Sequence, residues 1–84
     1  MSGPPRWPLT RRQAEVLNAA ADGAPLSTVA ARLGITRERV AARLSEAYRR
    51  LDVAWMDRGD RREAAVRIAR QRGLIPNEQK EQAA

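Results

Sequence analysis

Between Thr36 and Leu51 the chain reads TRERVAARLSEAYRRL, with apolar residues at Val40, Leu44, Ala47 and Leu51. Steps of four, three and four residues place them on one face of an α-helix and cannot place them on one face of a strand. Such a helix has a dry side that must be packed along its length. Its other sides carry Arg37, Arg39, Arg43, Arg49 and Arg50 against Glu38 and Glu46. Thr36 is placed to cap it, because a hydroxyl can accept from a first-turn amide that has no partner inside the helix. Immediately upstream, STVAARLGI is a shorter stretch with helical apolar spacing, closed by Gly34. A short helix, a glycine turn and a longer basic helix form the order of a helix-turn-helix unit.

The flanking sequence supplies two more helices. Thr10 can cap a helix over 11–22 with Gln13 at the capping-box position, burying Val16, Leu17, Ala20 and Ala21, and Gly23 is placed to end it. Ala24-Pro25 makes the turn, and the second helix runs to Leu33, burying Val29, Ala30 and Leu33. After the basic helix, Asp52–Gly59 reads as a connector. Asp60 is the candidate cap of a last helix over 61–72, with Glu63 at its capping-box position. That helix buries Ala65, Val66 and Ala69, with Ile68 beside them, and Gly73 stops it. No stretch alternates with period two, so the expected fold is all-α, four helices and no sheet. The expected organisation is an arm over 1–8, a helical domain over 9–75 and a polar tail over 76–84.

Composition narrows the function. At 84 residues the chain makes one small domain. It carries 16 Lys+Arg against 10 Asp+Glu, a formal charge of +6, and Lys80 is the only lysine. Such a surplus favours a polyanionic partner, and arginine can pair with a phosphate or a guanine edge through two donors at once. With neither Cys nor His, thiolate and imidazole chemistry are excluded, and no paired carboxylates, metal-ligand spacing or phosphate loop occur. No enzyme activity and no cofactor are expected. No apolar run approaches the roughly 18 residues of a membrane span, and MSGPPRWP lacks the apolar core of a signal peptide, so a cytoplasmic location is expected. Aromatics are 4% with no Phe, which leaves a thin core of Leu, Val, Ile and Ala that a partner or DNA would help to stabilise.

PLTRRQAEVL (Pro8–Leu17), VAARLGI (Val29–Ile35), TRERVAARL (Thr36–Leu44), RRLDV (Arg49–Val53) and EAAVRIARQRGLI (Glu63–Ile75) together resemble the LuxR/GerE-type DNA-binding domain. The resemblance implies a four-helix regulator of transcription whose third helix reads the major groove of double-stranded DNA. It puts Ala41, Ala42 and Ser45 on the groove-facing side, where that family often has lysine or another polar or β-branched residue. An alanine offers a base only a methyl contact. The resemblance also implies a weak homodimer through the last helix, where Ala65, Ile68, Ala69 and Leu74 are small enough or apolar enough for close approach.

Each candidate has a functional and a plain reading. Arg37, Arg39 and Arg43 are expected to touch phosphates and base edges; the plain reading is a solvated face with pairs such as Arg39–Glu46 or Glu46–Arg50. Arg49 and Arg50 stand near a helix C-terminus, where cations are favourable without DNA. Ser27 and Thr28 open the second helix, where they can hold a phosphate or cap the helix. Trp7 and Trp55 are expected to cover the core edge, with partner contact as the alternative, and Tyr48 is expected to pack on the last or first helix. The rival function is a protein-interaction module that docks on RNA polymerase or another transcription regulator.

Overall fold

The computed structural model describes residues 9–76. The expected arm with Trp7, and the tail beyond Pro76, lie outside the described residues. Four helices follow in order: α1 (Arg11–Ala19), α2 (Leu26–Leu33), α3 (Arg37–Arg50) and α4 (Arg58–Gln71), and the described residues contain no strand. The all-α, four-helix expectation therefore holds. None of the described helices is long and apolar enough to cross a membrane.

α3 lies at the centre, packed on α1, α2 and α4, and α1 also touches α2 and α4. Its expected dry face is the one buried: Val40, Leu44 and Ala47, continued by Leu51 and Val53. Val16 and Leu17 of α1, Val29 of α2 and Ala64, Ala65, Val66 and Ala69 of α4 close around that face. Leu9 and Ile75, from the two ends of the described chain, complete the core. Alanine recurs through this core, which lets helix backbones approach closely without any aromatic side chain. Leu33 and Ile35, expected inside, are only half-buried at the turn between α2 and α3.

The helix starts follow their caps. Thr10 and Gln13 form the expected capping box: the Gln13 amide donates to Thr10 Oγ1 at 3.1 Å, and the Thr10 amide to Gln13 Oε1 at 3.0 Å. Thr36 Oγ1 accepts from the Arg39 amide at 3.1 Å. α4 departs from expectation. It begins at Arg58 with Asp57 as its N-cap residue, and the Asp60 and Arg61 amides both donate to the Asp57 carbonyl. Asp60 is therefore a first-turn residue, where its charge still favours the positive end of the helix, and it is not the cap. The earlier start arises because Val53 is buried and the Met56 amide turns back to the Val53 carbonyl, so the connector is tighter than expected.

Three helices end alike. After α2 the Ile35 amide returns to the Ala30 carbonyl, after α3 the Val53 amide to Tyr48, and after α4 the Leu74 amide to Ala69. Each return needs one residue in the left-handed region, and these are Gly34, Asp52 and Gly73. Asp52 is the only non-glycine with positive φ among the described residues. α1 ends differently and earlier than expected. Its C-cap is Ala20, and Gly23, with φ of 82°, sits in the following turn. Two guanidinium groups hold that turn. Arg32 donates to the Ala19 carbonyl at 2.8 Å and grips the Asp22 carboxylate at 2.9 and 3.2 Å. Arg62 reaches from α4 to the carbonyls of Ala24 at 2.6 Å and Ala20 at 3.3 Å. Arg32 and its paired hydrogen bonds, helped by the Ala24 amide, hold the Asp22 carboxyl below its ordinary range.

Candidate nucleic-acid interface

α2, the turn Gly34–Thr36 and α3 form a helix-turn-helix. The left-handed Gly34 reverses the chain in one residue, and the half-buried Ile35 anchors the turn to the core. α3 then starts at its Thr36 cap with its Val40–Leu44–Ala47 face fixed inward, which fixes what faces out.

The candidate contact residues fall into three groups. Thr36, Arg37, Arg39, Ala42 and Ser45 are exposed on α3, and Ala41 and Arg43 are half-buried at the edges of its outer face. Arg37, Arg39 and Arg43 make no ion pair among the described residues. Arg49 and Arg50 form the second group. Both are bound to Glu46, Arg50 Nε at 3.3 Å and Arg49 through a shorter contact from NH2. These hydrogen bonds, Arg49's first and Arg50's second, hold the Glu46 carboxyl below its ordinary range. The expected Glu46–Arg50 pair is present, and the Arg39–Glu46 pair is replaced by Arg49–Glu46. The free positive charge of α3 is thus concentrated in its N-terminal half, the part of a recognition helix that meets base edges. Ser27 and Thr28 form the third group. They are exposed in the first turn of α2, which has no side-chain cap, so their hydroxyls are uncommitted there.

The expected dimer face is largely used inside the monomer. Ala65 and Ala69 are each 0% exposed, because the small side chains that would admit a second helix admit α1 and α3 instead. Ile68 and Leu74 remain half-buried.

Some residues escaped the sequence reading. Arg32 and Arg62 belong to the basic surplus, yet they serve as caps of the α1–α2 turn. Arg61 stacks 5.9 Å from the Tyr48 ring centroid and donates to the Met56 carbonyl at 2.9 and 3.2 Å, which bears out the packing of Tyr48 on the last helix. Trp55 overturns its expectation. It is 77% exposed, and its indole N–H donates to the Asp52 carbonyl at 2.7 Å. A reach of 38 residues, as between Arg62 and Ala24, leaves no local pattern by which it could be found.

The model of sigma-70, region 4, matches residues 8–52, which span α1, α2 and α3 and stop at the connector. Comparison with curated proteins and with solved structures gave no significant match. The matched segment is the one that carries the helix-turn-helix and its scaffold helix, over half of the chain, and the chain belongs to the sigma-70 region 4 family of DNA-binding helix-turn-helix domains.

Proposed function

We propose that this protein is a sequence-specific regulator of transcription that lays α3 in the major groove of double-stranded DNA. The observation that carries the reading is the split of charge along α3. Arg37, Arg39 and Arg43 have no carboxylate partner among the described residues, whereas Arg49 and Arg50 share Glu46. Glu46 lies three and four residues before Arg49 and Arg50, whereas Arg37 and Arg39 have no carboxylate at either spacing, so the start of α3 keeps its positive charge for a polyanion. With Ala41 and Ala42 unable to donate, Arg43 and Ser45 carry most of the base discrimination, supported by Arg37 and Arg39, and Ser27 and Thr28 hold a flanking phosphate. The LuxR/GerE-like layout enters through α4, which the family match leaves out and which packs on α1 and α3. A second copy pairing through α4 would have only Ile68 and Leu74 to use.

One observation favours a second reading, docking on RNA polymerase or another regulator: Trp55 stands exposed on the connector and is held there by its own hydrogen bond. Mobility shifts with the DNA upstream of the gene, at two salt concentrations, separate the two. A retarded complex that survives the higher salt supports groove binding. No complex, together with Trp55-dependent capture of purified RNA polymerase, supports docking.

A further inference from the structure

Beside α3 runs a groove of about 370 Å³, walled by Ala41, Ser45 and Tyr48 of α3 and by Arg58, Arg61 and Arg62 of α4. No acidic side chain lines it; Asp57 and Asp60, on the same end of α4, are exposed outside it. Two of its arginines are held without being neutralised. Arg62 is bound to the carbonyls of Ala20 and Ala24, and Arg61 to the Met56 carbonyl and the Tyr48 ring. Carbonyls and an aromatic face fix the direction of a guanidinium but leave its full positive charge. Arg58 is exposed at the mouth and makes no ion pair among the described residues. The result is a preorganised, uncompensated concentration of positive charge, which attracts an anion and spends little ordering entropy in doing so.

We infer that this groove takes a backbone phosphate of the DNA strand running past α3, with Arg58 and Arg61 as its ligands, so that α4 is part of the DNA interface. Continuity selects DNA as the source of the phosphate. Ala41 and Ser45, on the outer face of α3, are also the wall of the groove, so a strand bordering the major groove passes its mouth. The inference rests on the groove-binding reading above and extends it to a helix that the family match does not cover.

The test is a salt series of fluorescence-anisotropy titrations on a duplex that the wild type binds, with Arg58→Gln, with Arg61→Gln, and with Arg67→Gln as a control. Arg67 is exposed on α4 and does not line the groove. Arg58→Gln is expected to lower the log–log salt slope by about 0.9, the value of one phosphate contact, and to weaken specific and scrambled duplexes by the same factor. Arg61→Gln should lower the slope likewise, measured at a temperature where circular dichroism shows the variant folded because it also loses its Met56 and Tyr48 contacts, and Arg67→Gln should leave the slope as it is. A slope unchanged by Arg58→Gln, while Arg43→Ala still alters sequence preference, would overturn this inference and spare the groove-binding reading. Equal effects from Arg58→Gln and Arg67→Gln would also overturn it, since the contribution would then be net charge. Inorganic phosphate at constant ionic strength that shifts the Ser45 and Arg58 amide resonances, with the DNA slope unaltered, would assign the groove to a free anion and overturn it. A wild type that binds no duplex would remove both readings together.

Discussion

At the residue scale, two positions of the same shape show what a sequence does and does not reveal. Gly34 and Asp52 both occupy the left-handed region after a helix. The glycine was readable as a helix stop because it has no Cβ to clash there; the aspartate gave no such signal, since any residue type could stand after Leu51. The pair makes a prediction. A Cβ at Gly34 would meet nothing within 4 Å, so Gly34→Ala should cost only the conformational penalty, about 1 kcal/mol. Asp52→Gly should stabilise by less than that, because relief of the left-handed penalty is partly offset by the entropy a glycine loses on folding. Urea unfolding of both variants checks the signs. A second residue-scale prediction concerns Asp22. Its carboxyl titrates below the ordinary range in the folded state, so its contribution is present above the unfolded value of about 3.9 and is lost as pH falls through the lower folded value. The melting temperature of the wild type should exceed that of Asp22→Asn at pH 7, and the difference should close below about pH 4. A gap that persists at acid pH would mean that the Arg32–Asp22 pair does not hold the turn.

At the scale of elements, periodicity is enough for α3, which buries Val40, Leu44 and Ala47 as expected, and nearly enough for α2, which buries Val29 and Ala30 but leaves the expected Leu33 half-buried. It was less informative for α4. That helix is rich in arginine and alanine on all sides, and alanine is as much at home in a core as on a helix surface. Hence the start of the last helix reads one turn late, while its expected buried residues Ala65, Val66 and Ala69 do line the core, which leaves the two alanines unavailable to a dimer. Ala69→Glu would put an unpaired carboxylate into that core. The variant should lose several kcal/mol of stability, about 3–5 as for other uncompensated buried charges, and melt as a monomer problem before any effect on association is seen. Circular dichroism on heating reads this directly; a fully folded Ala69→Glu that only changes its sedimentation would restore the dimer face. Charge pairing on α3 gives a further test. Glu46→Gln should release Arg49, strengthen binding to scrambled duplex and steepen its salt dependence by up to about 0.9, the value of one phosphate contact.

On the scale of the whole molecule, a net charge of +6 says that a polyanion is favoured but not which part of the surface meets it. The fold answers part of that question by spending some arginines on itself. Arg32 and Arg62 tie the α1–α2 turn, and Arg49 and Arg50 share Glu46; what is left over includes the start of α3 and the mouth of the α3–α4 groove beside it, together with the exposed Arg11, Arg12, Arg67 and Arg72. For Arg32 and Arg62 that sorting depends on contacts 10 or more residues apart in the chain, which is why the sequence shows the helix-turn-helix and the Glu46–Arg50 pair plainly but not which other arginines the fold keeps for itself. The most direct measurement is a comparison of Arg43→Ala with Arg49→Ala on a duplex enriched by the wild type from a random pool and on its scrambled counterpart. Arg43→Ala should narrow the affinity gap between the two duplexes by about 1–3 kcal/mol while the protein stays folded, and Arg49→Ala should leave that gap unchanged. If the random pool yields no preferred duplex, or if Arg43→Ala leaves both affinities as they were, α3 does not read DNA.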